Sequence, residues 1–380
     1  MSCHQAGGNA PMSLDTYAQV KQLRALVHDA VESRRMPPWP PAPCCAEYEN
    51  PAKLTDDERT TLLTWIDEGA EEGVPALPPT IPSRPVLDAD TVLTMPEPYT
   101  PVAISNSEDT RCFLLETGFT QTRFVTGLDI KPGVREQMHH SLVLTVSAAG
   151  VSKLAALDAE SPEPGWSCPG GILGSIKSGL GGAFFEPQLF EGRGFQVDPG
   201  DRVVLTMHYS LPANGGFKVD QTSVQLRTQA EPVTPIVTLS VYNPSWLVGG
   251  LHIEPNAPST TYSWADAPAR LAGGATFQLH AVNLHMHERG KRGGLWIMRE
   301  GGTRECLLQI DRWNHSWQGD YRLATPVTLG PLDRLLVECE FDNTAATQRV
   351  ISGVKQTPRW LNWAEDQEMC VGFVTATLVK

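Results

Sequence analysis

The sequence predicts a mainly β chain in which two tandem antiparallel β-sandwiches, of jelly-roll-like type, follow a small α-helical unit. Its 380 residues exceed one ordinary domain. Glycine and proline number 33 and 31 while charged residues make up only 19%, a composition that favours strands joined by turns. From residue 102 onward, short apolar runs also alternate with turn signals. We therefore expect a helical unit at 1–72, a proline-rich linker at 73–101, and sandwiches at 102–231 and 232–380.

Two helices are predicted within the first 72 residues. Ser13 is the candidate N-cap of the first helix, whose apolar residues keep helical spacing up to Arg35. Pro37 then stops the helix because proline cannot continue the hydrogen-bonding pattern. The second helix begins at a capping box formed by Thr55 and Glu58 and is expected to end at Gly69.

Strands are expected where apolar and β-branched residues form short runs. The clearest runs lie at 113–115, 141–146, 202–207 and 335–339. Turn signals such as Pro199-Gly200-Asp201 and Asn214-Gly215-Gly216 separate such runs. The stretch 229–235 contains two prolines and is the expected hinge between the two sandwiches.

The charge and hydropathy of the chain exclude some classes of partner. A formal net charge of −13 opposes binding to nucleic acid or to anionic membrane, both of which need a basic surface. No apolar run approaches the roughly 20 residues of a membrane-spanning helix. The first residues do not resemble an export signal either. We therefore expect no nucleic-acid partner and no membrane span.

Clustered histidines are the strongest chemical signal in the sequence. His285 and His287 lie two residues apart, so on a strand they project from the same face and can share one metal ion, although an exposed pair is an equal alternative. His139 and His140 are neighbours and can meet one ion only at a strand end or a distortion. His208 is a third candidate or a buried structural histidine. Imidazole suits copper, zinc, iron or nickel.

One further histidine near the second pair is interpreted as structural. His280 lies five residues before His285, which puts it on the opposite face of a regular strand.

Several short motifs together resemble the copper type II, ascorbate-dependent monooxygenases, a family that includes dopamine β-monooxygenase and peptidylglycine α-hydroxylating monooxygenase. The resemblance lies in order and spacing and covers about residues 85–380. The motifs are Arg111-Cys112-Phe113, Pro132-Gly133, His139-His140, Pro199-Gly200-Asp201, Met207-His208-Tyr209, His285-Met286-His287, Gly290-Lys291 and Glu368-Met369-Cys370.

The resemblance implies two copper sites and two disulfides. The ligands it implies are His139, His140 and His208 for one copper, and His285, His287 and Met369 for the copper at which hydroxylation occurs. The implied disulfides are Cys112–Cys168 and Cys339–Cys370, which leave Cys306 as an expected free buried thiol. Two disulfides imply an oxidising compartment, so we expect a periplasmic or extracellular protein whose leader precedes the given chain.

The activity implied by the resemblance is hydroxylation of a substrate C–H bond with O₂ and ascorbate or another one-electron donor. The peptide-hydroxylating members hold a peptide carboxylate at three positions that here are Asn283, Val371 and Phe373. Because no arginine clamp is present, a small neutral or apolar substrate is expected. Two alternatives are a non-catalytic copper-binding or electron-transfer protein and a zinc hydrolase that uses the three-histidine set.

The helical unit resembles a small bacterial c-type cytochrome domain, which implies haem c as a further cofactor. Cys3 and His4 correspond to the end of the haem-attachment motif, and Met36 to the distal ligand. The first cysteine of that motif would lie before Met1, so a helical appendage without haem is the alternative. Cys44 and Cys45 could form a disulfide, bind a metal or be inert.

Overall fold

A computed structural model describes residues 4–5, 10, 12–49, 51–74, 86–102, 108–168, 175–183, 188–210, 216–268, 273–351, 354–364 and 367–379. Over these residues the chain is mainly β, as the sequence predicts. Cys3, the turn residues 214 and 215, and residues 75–85 of the expected linker lie outside the described ranges.

The described residues contain three α-helices, α1 (Tyr17–Glu32), α2 (Asp56–Asp67) and α3 (Ala148–Glu160). Thr55 caps α2 as predicted. The expected N-cap Ser13 is wrong, because Thr16 and Gln19 form a reciprocal capping box three residues further on.

The helix ends also differ from the prediction. Both α1 and α2 end two or three residues earlier than expected, and α3 was not expected at all.

Twenty-two strands lie in the described part of the chain, and the expected runs all fall within them. The first ten are β1 (Thr91–Thr94), β2 (Glu108–Glu116), β3 (Arg123–Lys131), β4 (Met138–Val146), β5 (Trp166–Ser167), β6 (Ile176–Ala183), β7 (Gln188–Leu189), β8 (Arg193–Val197), β9 (Arg202–Ser210) and β10 (Ser223–Gln229). The others are β11 (Thr234–Val241), β12 (His252–Ile253), β13 (Thr260–Asp266), β14 (Thr276–His285), β15 (Gly290–Met298), β16 (Arg304–Ile310), β17 (Tyr321–Leu329), β18 (Arg334–Phe341), β19 (Val350–Ile351), β20 (Val354–Lys355), β21 (Leu361–Asn362) and β22 (Val371–Val379).

The longest sheet runs through both halves of the β region. Its strands follow the order β1-β10-β3-β8-β11-β22-β14-β17, with β7 paired to β3. The expected hinge at 229–235 joins β10 to β11, and β11 pairs in parallel with β8 at Thr234 and Pro235. The connection between the two halves is therefore part of one continuous sheet.

Two other sheets lie against this long sheet. The sheet β5-β2-β9-β4-β6 shares a buried hydrophobic cluster with β1, β3, β8 and β10, and the sheet β13-β18-β15-β16 shares another with β11, β14, β17 and β22. Burial of apolar surface between such layers is the main stabilising contribution. The two separate clusters support two sandwiches, which remain a prediction.

The helical unit contacts the C-terminal β region through residues 39–49. The backbone N–H of Ala42 donates to the Gln309 carbonyl, and Glu49 donates to the Arg322 carbonyl, at 2.8 and 2.9 Å. Trp39 packs edge-on against Tyr321, with ring centroids 5.5 Å apart. This segment therefore covers the neighbouring edges of β16 and β17.

Three disulfides are present among the described residues. Cys112–Cys168 and Cys339–Cys370 are the pairs implied by the sequence resemblance. The expectation of a free thiol at Cys306 is wrong, because the packing of residues 39–49 brings Cys45 against β16 and the two cysteines are bonded. Three disulfides fit a secreted or extracellular protein.

The helices that the structure describes are all too short or too polar to cross a membrane.

Candidate metal centre

The first histidine set lies where β4 pairs with β9. His140 is directly opposite His208, while the register shifts between Met138 and His140, so His139 forms a bulge. Met138 is fully buried in the core. A bulge re-aims a side chain that would otherwise point to the opposite face. This is the local distortion that two adjacent histidines require in order to meet.

The nitrogens of the first set converge. The Nδ1 atom of His140 lies 3.1 Å from Nδ1 of His139 and 3.2 Å from Nδ1 of His208. Two nitrogens that each bind one ion at about 2.0–2.1 Å lie roughly 3–3.5 Å apart. Burial, and then the neighbouring imidazoles, lower the pKa of His140 well below its usual range. The three rings therefore have the nitrogen spacing of metal ligands, and His140 is neutral.

The second histidine set lies at the end of β14. The rings of His285 and His287 are 5.1 Å apart between centroids and nearly perpendicular. Nδ1 of His285 is 2.6 Å from Oε1 of Gln318, and Nδ1 of His287 is 3.2 Å from the Gln367 carbonyl oxygen. Because both partners are acceptors, each ring carries its proton on Nδ1 and leaves Nε2 available for a metal ion.

Burial also keeps these two rings neutral. It lowers the pKa of His285 and lowers that of His287 well below its usual range. Neutral imidazole is the form that binds metal.

Met369 is held next to the second set by its chain neighbours. The carboxylate of Glu368 accepts the backbone N–H of His287 at 3.0 Å and that of Arg289 at 2.8 Å. Cys370 is bonded to Cys339 on β18. Met369 is 1% exposed and lines the same cavity as His285 and His287. A thioether and two imidazoles are a donor set that suits copper, so these residues fit that metal.

His280 does not lie as the sequence predicts. The register of β14 shifts between Leu279 and Ala281 in its pairing with both neighbours, so the regular alternation is broken at this residue. His280 consequently lines the same cavity as His285. Its Nε2 atom is 2.9 Å from the Thr377 hydroxyl, and burial lowers its pKa to about 4.

Both sets open onto one cavity of about 1010 Å³ between the two halves of the β region. Asn283 and Phe373, two of the three positions that differ from the peptide-binding pattern, line it. The Asn283 amide donates to Asp320 at 3.1 Å. Apolar side chains contribute much of the remaining wall, among them Leu180, Phe190, Phe195, Ile236 and Leu323.

The segment 313–318, here called the bridge segment, was missed by the sequence analysis. The Trp313 indole donates to the His287 carbonyl at 2.9 Å, and the Trp317 ring lies 5.3 Å from the ring of His139. His315 lies 5.9 Å from His208 between ring centroids. In the sequence, the one signal of this segment is a histidine that lies between two tryptophans in a short loop.

The candidate haem ligands lie in the helical unit. Nδ1 of His4 is 3.0 Å from the Met12 carbonyl oxygen, which leaves Nε2 available to a ligand. Met36 follows α1 and donates its backbone N–H to the Ala30 carbonyl at 3.0 Å. Cys3 lies outside the described residues.

Comparisons with known proteins find a family similarity for one part of the chain. No curated protein matches the chain. Among solved structures, the major capsid protein P2 from Bacteriophage PM2 is similar over 76% of this chain and 98% of that chain, with 7% identity and a TM-score of 0.26, too low to support an argument. Residues 260–376, which carry His285, His287 and Met369, match the family model of the copper type II ascorbate-dependent monooxygenase, C-terminal domain.

Proposed function

We propose that the chain is a copper-dependent monooxygenase that hydroxylates a C–H bond of a small, neutral or apolar organic substrate. One observation carries the proposal. Residues of the matched segment 260–376 and of a separate set of three imidazoles line the same cavity. The reaction consumes the substrate, O₂, two electrons from an external donor such as ascorbate, and two protons. It releases the hydroxylated product and water.

The proposed copper ligands are His139, His140 and His208 in one site and His285, His287 and Met369 in the other. When bound, copper supplies the one-electron and dioxygen chemistry. The chain's own groups orient the ligands: Gln318 and the Gln367 carbonyl fix the tautomers of His285 and His287. Met369, as the proposed soft donor, favours the reduced ion.

The proposed substrate class follows from the cavity wall. Asn283 replaces the arginine of the peptide-binding pattern and its amide is engaged with Asp320. Phe373 adds an apolar surface on the same wall. Arg349, which also lines the cavity, is paired with Glu288 at 2.7 Å. At position 283 and at Arg349, a substrate carboxylate would therefore lack a free bidentate partner.

Electron supply and location complete the proposal. His4 and Met36, with Cys3, would bind haem c in the helical unit and pass electrons to the copper sites. The disulfides support a location in the periplasm or outside the cell. The alternative function is a non-catalytic copper-binding or electron-transfer protein on the same scaffold.

The test combines copper content with product analysis. We expect about two coppers per chain, and incorporation of one ¹⁸O atom from ¹⁸O₂ into a product when ascorbate and a panel of small organic compounds are supplied. His285→Ala and Met369→Ala should each lower turnover by more than about 100-fold, because even partners of metal ligands contribute 10–100-fold.

The matched control is His252→Ala. His252 is exposed, stacks on Trp360 and does not line the cavity, so its replacement should leave turnover unchanged. Bound copper without any oxygenated product across the panel would favour the electron-transfer alternative, and undiminished turnover in both site variants would refute the ligand assignment.

A further inference from the structure

The bridge segment connects the two histidine sets. On the side of the second set, Trp313 donates to the His287 carbonyl at 2.9 Å and Gln318 contacts His285 at 2.6 Å. On the side of the first set, Trp317 packs against His139. The Gln318 amide also donates to the His315 carbonyl at 2.9 Å, which fixes the backbone of the 3-10 turn His315–Trp317. Contacts with both histidine sets therefore fix the position of His315.

His315 lines the cavity and lies beside His208 of the first set. Its ring centroid is 5.9 Å from that of His208, against 4.5–5.3 Å among His139, His140 and His208. The His315–His208 spacing is therefore 0.6 Å wider than the widest spacing within the set, 5.9 against 5.3 Å.

We propose that His315 is a fourth nitrogen donor to the metal ion bound by His139, His140 and His208. The C-terminal half of the β region would thereby supply a ligand to the site of the N-terminal half. Ion binding at the first set would then draw the bridge segment towards that set. Two residues of the segment, Trp313 and Gln318, contact the second set and would move with it. The inference rests on the proposed function only in assuming that copper binds the first set.

The test isolates the first set in a chain carrying His285→Ala and His287→Ala, with the fold checked by circular dichroism. Cu²⁺ is added, its affinity is measured by competition with a chelator, and its electron paramagnetic resonance spectrum is recorded. In this background, His315→Gly should weaken Cu²⁺ binding at least about tenfold and remove the hyperfine contribution of one nitrogen. Free imidazole should restore the original spectrum, whereas His252→Ala should change neither quantity.

Two outcomes separate this inference from the proposed function. If His315→Gly leaves both the affinity and the spectrum unchanged, or if imidazole does not restore a spectrum that did change, His315 is not a ligand, although the first set can still bind copper. If His139→Ala with His140→Ala also leaves the spectrum unchanged, the first set itself is not the copper site, and the proposed function fails with it.

Discussion

Glu368 is a fully buried carboxyl group that joins the turn after β14 to the segment before β22 that bears Met369. It accepts two backbone N–H groups, from His287 and Arg289, and burial raises its pKa to about 7. A buried donor that loses its acceptor costs about 1–3 kcal/mol. The residue therefore determines how closely the thioether and the imidazoles of the second set approach each other.

We expect Glu368→Ala to lower the free energy of unfolding of the metal-free chain by about 2–4 kcal/mol, because both N–H groups are left without an acceptor. Glu368→Gln should cost less, since its single amide oxygen keeps one of the two bonds. Urea unfolding of the two variants measures the difference. A loss below about 0.5 kcal/mol in Glu368→Ala would contradict this role.

At the level of the strands, Glu340 on β18 is the acceptor for cations on β15. Its carboxylate lies 3.0 Å from Nζ of Lys291, accepts from Ser259 at 2.8 Å and is paired with Arg292. Burial opposes its ionisation, but the hydrogen bonds from Lys291, Ser259 and Arg292 outweigh burial and lower its pKa to about 2. This contact reinforces the pairing of β15 with β18.

The depressed pKa of Glu340 predicts an acid-dependent stability. Its contribution is complete above about pH 4.5, the ordinary value, and is lost as the pH falls towards 2. Because Lys291 and Arg292 are partly exposed, we expect about 1–2 kcal/mol. As the pH falls from 5 to 2.5, the free energy of unfolding should therefore fall by about 1–2 kcal/mol less in Glu340→Gln than in the unaltered chain. Parallel loss in both proteins would contradict the assignment.

The elements that the sequence predicted are those with local signals. Apolar runs marked the strands, and the Thr55–Glu58 capping box marked α2, because these patterns act within a few residues. A distortion at His139 was one of the two conditions named for its pairing with His140, but the register shift at His280 was not predictable, since such a shift depends on the partner strand. His315 was missed for the same reason: its role follows from a contact with His208, more than 100 residues away in sequence.

At the scale of the whole molecule, the bridge segment and its neighbour Arg312 meet three parts of the chain. Arg312 donates to the Ser33 carbonyl at 2.7 Å, at the end of α1 and close in sequence to Met36. The bridge segment then contacts both histidine sets. The helical unit is thus attached to the β region at the residue that precedes the bridge segment.

The Cys45–Cys306 disulfide cross-links the helical unit to the β region, and Cys44 lies beside it. The three sulfur atoms are all within 4.8 Å of one another, and the sulfurs of Cys44 and Cys45 are 3.5 Å apart. Cys44 is the exposed member of the group. The Cys44 thiol is close enough to Cys306 to replace Cys45 in the disulfide. The cross-link can therefore survive the loss of Cys45.

We expect Cys45→Ser to form a Cys44–Cys306 bond, whereas Cys306→Ser removes the link altogether. The measurement uses a protease site inserted within residues 75–85 and a non-reducing gel after cleavage. The two fragments should stay together in the unaltered chain and in Cys45→Ser, and separate in Cys306→Ser. Cys44→Ser is the matched control and should behave as the unaltered chain does. Separation of the fragments in Cys45→Ser would mean that Cys44 cannot reach Cys306, and that only one of the two adjacent cysteines joins the helical unit to β16.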